Sequence, residues 1–538
     1  MKTLSYTLLA SLTATGSLLA DTPEEHSAAL QKVQLTPTTE LVGEKENQIL
    51  DSFVRVNATI QTFNAGQPWQ RNNPQRRSGL GTLISPTEII TAAEMVANQT
   101  YLELESADSS QSVQAKVVAI DYKANLALLS PVADPGFLAK KTPLEIAKPA
   151  KIGDPVNVWQ FEDNGTTLKT TASIRAVDTS ATFLSGNSFL TYILKGSMQS
   201  ASSSFTLPAT RNGKFLGVLT SYDSDDQISE VIAPEIIETF LRDARDGIYE
   251  GFPTLGCAIQ RTEDKSFRQY LGLSEDGGGL YISRVKPDSP ADKAGMKKGD
   301  VLLAVDGSEL DRRGYFQHPD YGPLTWTVLI RSGKTVGDTI SLTILRDGKE
   351  QTLSATLEAT QPPLIPRHIN DSPPPFLIKG GLVFQELSRE YLRAFGDNWT
   401  TRAPLPLMYA MENPEDYEEE RNSIVFLARV LPNPATIGYD RLGGMIVNGA
   451  NGQPVKDIAE LAALLEKTPA NGIHTIELDE APGVIYLDAE ISDQVDQQFL
   501  QQGLPTLSRL PEKKLSPAEV ETIAAEALGE KTETEESE

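Results

Sequence analysis

The sequence predicts a mainly β protein: a β-rich first half closed as a sandwich or barrel, then two mixed α+β units. Three observations carry this. From Val54 to about Tyr222, short runs rich in Val, Ile, Leu and Thr recur at spacings near ten with turn residues between them; VRVNATIQTF, GTLIS, VQAKVVAI, VNVWQF, FLTYILKG and KFLGVLT are examples. Residues 252–360 alternate strand patterns with a helix signal at Ser289–Gly295 and end in ISLTILRDGKEQTLSATL, a hairpin with Asp347-Gly348 at its turn. Residues 377–495 repeat the mixed pattern, with a helical stretch at Asp457–Lys467.

Composition narrows the function class. The chain has 538 residues, enough for three or four domains, and 39% hydrophobic residues, which suits globular cores rather than a membrane protein. A net charge of −25 repels phosphate backbones and argues against nucleic-acid binding. The single cysteine, Cys257, allows no internal disulfide and no Cys-based metal site. No metal constellation or phosphate loop stands out, and no cofactor is expected. Lys2 followed by an apolar run from Leu4 to Ala20 and then polar Asp21–Ser27 reads as a signal peptide over 1–20, the other reading being an uncleaved anchor. The expected location is therefore extracytoplasmic, in the periplasm or an equivalent space, with no integral span in the mature chain.

The expected divisions follow. Residues 21–50 are a polar N-terminal arm and 51–246 the β-rich domain, closed by a helical pattern from Pro234 to Arg245. Gly247–Gly251 is a short linker to a domain at 252–360. QPPLIPR and SPPPF form a Pro-rich junction leading into 361–510, and 511–538 is an acidic tail.

Residues 279–307, GLYISRVKPDSPADKAGMKKGDVLLAVDG, resemble a PDZ domain of the HtrA type: a strand, SPAxxAG opening a helix, then KxGDxLLxVDG. Ser289 caps a helix with Pro290 in its first turn, and Gly295 ends it. The β-rich domain has the layout of a trypsin-like protease. Residues 361–510, with FLIKGGLVF, LSREYL, ARVLPNPATIGYDRL and IVNGANGQPVKDIAEL, resemble the extra C-terminal PDZ-like domain of plant-type Deg proteases, as do GFPTLG and PWQR at their places. The resemblance to the Do-like (Deg/HtrA) serine protease family spans roughly 50–510. It implies a trypsin-like double β-barrel followed by two PDZ-like α+β domains.

That resemblance fails at the catalytic positions. The family's base histidine follows T-N/A-A; here Thr91-Ala92-Ala93 is followed by Glu94. The family's aspartate precedes L-A-L-L; here Leu126–Leu129 is preceded by Asn125. The G-N-S-G-G-P nucleophile loop reads QSASSSF, which places Ser203 at the nucleophile from one side and Ser204 from the other. The four histidines, His26, His318, His368 and His474, all lie outside the β-rich domain, so no base is available. Asp-to-Asn in such triads lowers the rate by about 10⁴. Ser204 and Phe205 in place of two glycines disturb the oxyanion turn. The triad positions Glu94, Asn125 and Ser203 are thus expected to be degenerate. Glu94 reads as a solvated loop residue, and Cys257 as a small apolar residue in a strand.

What remains is binding. PDZ domains capture an extended chain end by strand addition beside a loop whose amides hold the carboxylate. In the HtrA-type resemblance this loop is Leu255, Gly256, Cys257, Ala258 and Ile259. Two readings of it stay open, an external ligand or an internal domain contact. The insertion Asp311–Trp326, with Tyr315, Phe316, Tyr321 and Trp326, either walls the groove or packs on the neighbouring domain. The C-terminal domain lacks an obvious carboxylate loop and is expected to pack. The expected function is an exported, non-catalytic binder of unfolded or C-terminal protein segments, a chaperone, adaptor or scaffold. The resemblance also implies a homo-oligomer, trimeric or larger. The alternatives are a regulatory partner subunit of an active Deg protease, and a serine endopeptidase with unorthodox residues.

Overall fold

The computed structural model describes residues 48–133, 136–139, 141–162, 166–181, 188–198 and 206–511. Six strands, β1 (Phe53–Ile60), β2 (Gln75–Ser85), β3 (Glu88–Thr91), β4 (Gln99–Glu105), β5 (Ser112–Asp121) and β6 (Leu126–Pro131), close a barrel in the order β1-β2-β3-β6-β5-β4. A short helix, α1 (Ala93–Val96), follows β3. A second barrel contains β7 (Pro155–Phe161), β8 (Thr167–Ala181), β9 (Ser188–Lys195), β10 (Leu207–Arg211), β11 (Lys214–Asp223) and β12 (Ile228–Ile232). Its order, β7-β8-β9-β12-β11-β10, repeats that of the first. The apolar runs become these strands because alternate positions fill the two barrel interiors. Phe53, Val54 and Val56 of β1, Leu126–Leu129 of β6, and Trp159, Tyr192 and Phe215 of the second barrel are fully buried. Helix α2 (Pro234–Asp246) then lays Ile236, Ile237, Phe240 and Leu241 on the second barrel.

The next sheet has the order β13 (Cys257–Gln260), β14 (Leu280–Val285), β15 (Val301–Val305), β16 (Thr339–Arg346) and β17 (Lys349–Thr356), with Ser308–Glu309 pairing β15. The Asp347-Gly348 turn joins β16 to β17, with φ of 50° and 72°, the left-handed values that a two-residue hairpin requires. Helix α3 (Pro290–Lys293) is capped by Ser289, whose hydroxyl accepts from the Asp292 amide. Helix α4 (Val328–Arg331) sits against β9 and the Pro253–Thr254 segment. The aromatic insertion packs inward: Phe316, Tyr321, Leu324 and Trp326 are buried, and they belong to a core continuous with that of the second barrel. Tyr321 donates to Glu235 of α2 at 2.8 Å, and Arg331 donates to the Ser188 carbonyl at 2.9 Å while lying over the Phe189 ring.

The last sheet contains β18 (Phe376–Lys379), β19 (Leu382–Glu386), β20 (Val425–Val430), β21 (Met445–Ala450), β22 (Ile473–Leu478), β23 (Val484–Asp488) and β24 (Ser508–Arg509). They run β23-β22-β21-β20-β19-β18-β24. Helices α5 (Arg389–Arg393), α6 (Ile458–Glu466) and α7 (Ala489–Gln501) flank it. Asp457 caps α6 through the Glu460 amide at 2.9 Å.

This domain is fastened to the first barrel through the hairpin formed by Phe63–Asn64 and Gln67–Arg71. Trp69 packs on Phe376 in a tilted arrangement, with ring centroids 5.7 Å apart. Arg509 donates to the Pro68 carbonyl at 2.9 Å and covers the Phe63 and Phe376 rings. Gln385 donates to the Ala65 carbonyl at 3.1 Å. Among the described residues no helix is long and apolar enough to cross a membrane.

Candidate functional site

Two places position the residues singled out above. The first lies at the end of β3. Thr91 is fully buried, its hydroxyl donating to the Leu80 carbonyl at 2.9 Å, and Ala92 and Ala93 are likewise buried. Glu94 therefore emerges on the first turn of α1 facing Asn125, which sits just before β6 with a left-handed φ of 57° and almost no exposure. The Asn125 side chain holds Glu94 at two points, its backbone N–H and its carboxylate. Asn125 Oδ1 accepts from the Glu94 amide at 3.0 Å, and Asn125 Nδ2 donates to Glu94 Oε1 at 3.1 Å. Arg77 of β2 donates to the Glu94 carbonyl. The sequence expectation of a solvated loop residue is corrected: Glu94 is half-buried on a helix because its carboxylate has a dedicated amide donor.

Burial pushes the Glu94 carboxyl above the ordinary glutamate value, and the Asn125 amide and the Arg77 charge pull it part of the way back. A carboxylate that accepts one fixed amide is a weak base toward a hydroxyl. Ser203, Ser204 and Phe205 lie outside the described residues. Thr206, the first described residue beyond them, accepts from the Leu80 amide at 3.2 Å. Arg77 is the member of this cluster that sequence reasoning missed. It arrives from a different strand, and nothing local announces its reach.

The second place is the edge of β13. Leu255 is buried, its carbonyl accepting from the Ala291 amide at 2.9 Å. The Gly256 carbonyl accepts from the Lys286 amide at 2.9 Å and from Ser289 Oγ at 3.3 Å. Gly256 has φ +77°, and a Cβ there would collide with Ser289 Cβ, so this glycine is a structural requirement of the turn. β13 pairs with β14 on one side only, and among the described residues no strand pairs its other edge. Cys257 and Ile259 turn toward the core, whereas Ala258 and Gln260 are exposed. The Cys257 thiol is pushed up to about 12 by burial, so it is neutral and inert near pH 7.

The C-terminal sheet has the same five-strand frame, with β19 in the place of β13, but β18 is paired along its edge. Leu377 faces Phe384 and Ile378 faces Val383, while α6 packs across β18, β19 and β21. The turn between them, Gly380-Gly381, is held by Asp496, which accepts from the Gly380 amide at 2.8 Å and pairs with Lys379 at 3.4 Å. Strand β18 thus lies where an added peptide strand would lie.

Two six-stranded barrels of one topology and two PDZ sheets in series define a trypsin-like double barrel with a C-terminal PDZ tandem. Residues 253–357 and 365–504 each match the PDZ domain family. The chain is 27% identical over 421 residues to protease Do-like 2, chloroplastic, of Arabidopsis thaliana, covering 78% of this chain and 68% of that one. Protease Do-like 4, mitochondrial, of the same plant is also 27% identical over 421 residues, covering 78% of this chain and 77% of that one. A DegP-like probable periplasmic serine endoprotease of Marinomonas is 27% identical over 376 residues, covering 66% and 74%. The chain belongs to the Deg/HtrA serine endoprotease family.

Proposed function

We propose that this chain is a non-catalytic member of its family that binds extended protein segments along the open edge of β13. The observation that carries the first half is the Glu94–Asn125 pair. It supports the reading by joining a carboxylate and a neutral amide at the positions that the family resemblance gives to the base imidazole and its orienting carboxylate. The second half is supported by the unpaired edge of β13 beside the Leu255–Ile259 turn. In this reading the chain is exported, as its Lys2-led apolar N-terminus suggests, and assembles as a trimer or larger. It serves as a chaperone, adaptor or scaffold for unfolded or C-terminal segments.

Purified protein incubated with an unfolded casein-like substrate and a fluorophosphonate probe is expected to show neither cleavage nor labelling. The double substitution Glu94→His with Asn125→Asp is expected to stay inactive, because a triad works only as a unit with its oxyanion turn. Labelling that disappears in Ser203→Ala would overturn the proposal in favour of an unorthodox hydrolase. Stoichiometric co-purification with an active Deg protease would favour the regulatory-subunit reading.

A further inference from the structure

The joint between the first barrel and the C-terminal domain holds a solvent-open cleft of about 580 Å³, with the exposed Arg429 at its rim, that none of the readings above uses. On one side it is walled by Phe63–Gly66 of the hairpin, and on the other by Tyr391, Phe395 and Arg429. A smaller cavity of about 200 Å³ shares Phe63, Ala65 and Tyr391 with it. We propose that this joint is a binding site for a carboxylate carried on an apolar body. Arg429 holds the head group, and Phe63, Tyr391 and Phe395 enclose the body.

The volume lies within the roughly 300–1,000 Å³ of small-molecule sites, and the walls combine the rings of Phe63, Tyr391 and Phe395 with the polar side chains of Asn64, Asn72 and Arg429. Arg429 is the telling residue. In a chain with 73 acidic residues against 48 Lys and Arg, among the described residues no carboxylate forms an ion pair with it. Tyr391 is fixed by ring contacts to Phe395 at 5.8 Å and Phe426 at 4.6 Å. Its phenol is pushed up to about 12 by burial, partly opposed by the nearby Arg429 charge. It is therefore a neutral O–H donor beside a guanidinium, a pairing suited to an anion.

The charge at the opposite end has the reverse sign. Glu386 and Glu390 line the smaller cavity; the first accepts from Ser423 at 2.6 Å and from the Ile458 amide at 3.2 Å. Those carboxyls repel an anion, so the head group belongs at Arg429 and the apolar body points inward. The segments LSREYL and ARVLPNPATIGYDRL, noted above only for their resemblance, supply Tyr391 and Arg429 to one wall.

The test is calorimetric titration of the full chain with 4-phenylbutyrate, 4-phenylbutyramide and the free acid of N-acetyl-Leu-Phe. The free acid of phenylbutyrate is expected to bind about tenfold more tightly than the amide. Arg429→Gln should bring the acid down to the level of the amide without moving the thermal midpoint. Ala65→Trp, which fills the space, should abolish both. If Arg429→Gln also weakens the peptide acid, chain termini are ligands of this joint; if it leaves the peptide unaffected, the ligand is a free organic acid and the peptide binds elsewhere, on β13. Equal affinity for acid and amide, an unchanged acid affinity in Arg429→Gln, or no binding of phenylbutyrate at millimolar concentration to folded protein overturns the proposal.

Discussion

The two PDZ sheets share a five-strand frame, yet one ends at β13 and the other continues through β18 to β24. The difference arises in a few residues before the edge strand. In the first sheet Pro253–Thr254 pairs with Glu358–Ala359, at the opposite terminus of the domain, and leaves the edge of β13 without a neighbour. In the second, Phe376–Lys379 folds back through Gly380-Gly381 as a hairpin and pairs the edge directly. An unpaired edge keeps a row of backbone groups available to a partner, and a paired one does not. The same frame thereby leaves an open edge in one domain and a filled one in the other.

Four substitutions and one titration break or sharpen this contrast. The largest effect is expected for Ile378→Asp, which buries an unpaired charge in the cluster of Phe376 and Val383. It should cost at least about 4 kcal/mol and melt the C-terminal domain. The matching edge substitution Gln260→Asp, on an exposed position of β13, should stay within about 0.5 kcal/mol. Urea unfolding of both variants checks the pair.

Lys379→Met comes next, at about 3 kcal/mol near neutral pH, because it leaves Asp496 buried without its cation. Burial already raises the Asp496 pKa, and the backbone amide of Gly380 and the charge of Lys379 oppose that rise. Without Lys379 the carboxyl holds its proton to still higher pH. The deficit is therefore greatest above the carboxylate range and fades as pH falls through it, when protonated Asp496 no longer needs a cation. Unfolding midpoints measured between pH 4 and 8 should converge at the acid end.

Arg509→Ala removes the side chain that covers Phe63 and Phe376 from β24 and should cost about 2 kcal/mol, seen as faster proteolysis in the 63–71 hairpin. The last expected effect is a binding difference. Peptides with a free apolar C-terminus should bind the full chain at micromolar concentration, and their amides about tenfold more weakly, a change of about 1.4 kcal/mol. Equal affinity for both forms would show that β13 reads internal segments.

Much of this was legible in the residues. The Ser289 cap, the Asp347-Gly348 turn and the Asp457–Lys467 helix follow from local chemistry, and each stands where its signal put it. The inward packing of Phe316, Tyr321 and Trp326 was one of two open readings, since an aromatic insertion fits a groove wall and a domain contact equally well until its neighbour is placed. The Glu94–Asn125 pair was harder to foresee. Both positions were found by motif, but their mutual hydrogen bonds depend on two turns 31 residues apart. The segment FLIKGGLVF is noted above only for its resemblance, and its hairpin was not read from the residues. Its significance, a filled edge, emerges only when the two sheets are compared.

The clamp formed by Arg509 has a consequence for how the molecule is made. Its bond to Pro68 joins residues 441 positions apart. A chain that emerges from its N-terminus completes both barrels and the first PDZ sheet before Arg509 exists. During that interval Phe63 and Trp69 have no partners in Phe376 or Arg509 and present an adhesive face. A chain that ends before residue 509 lacks the side chain that covers Phe63 and Phe376 at this seam. Closure of this seam therefore waits on one of the last described strands of the chain.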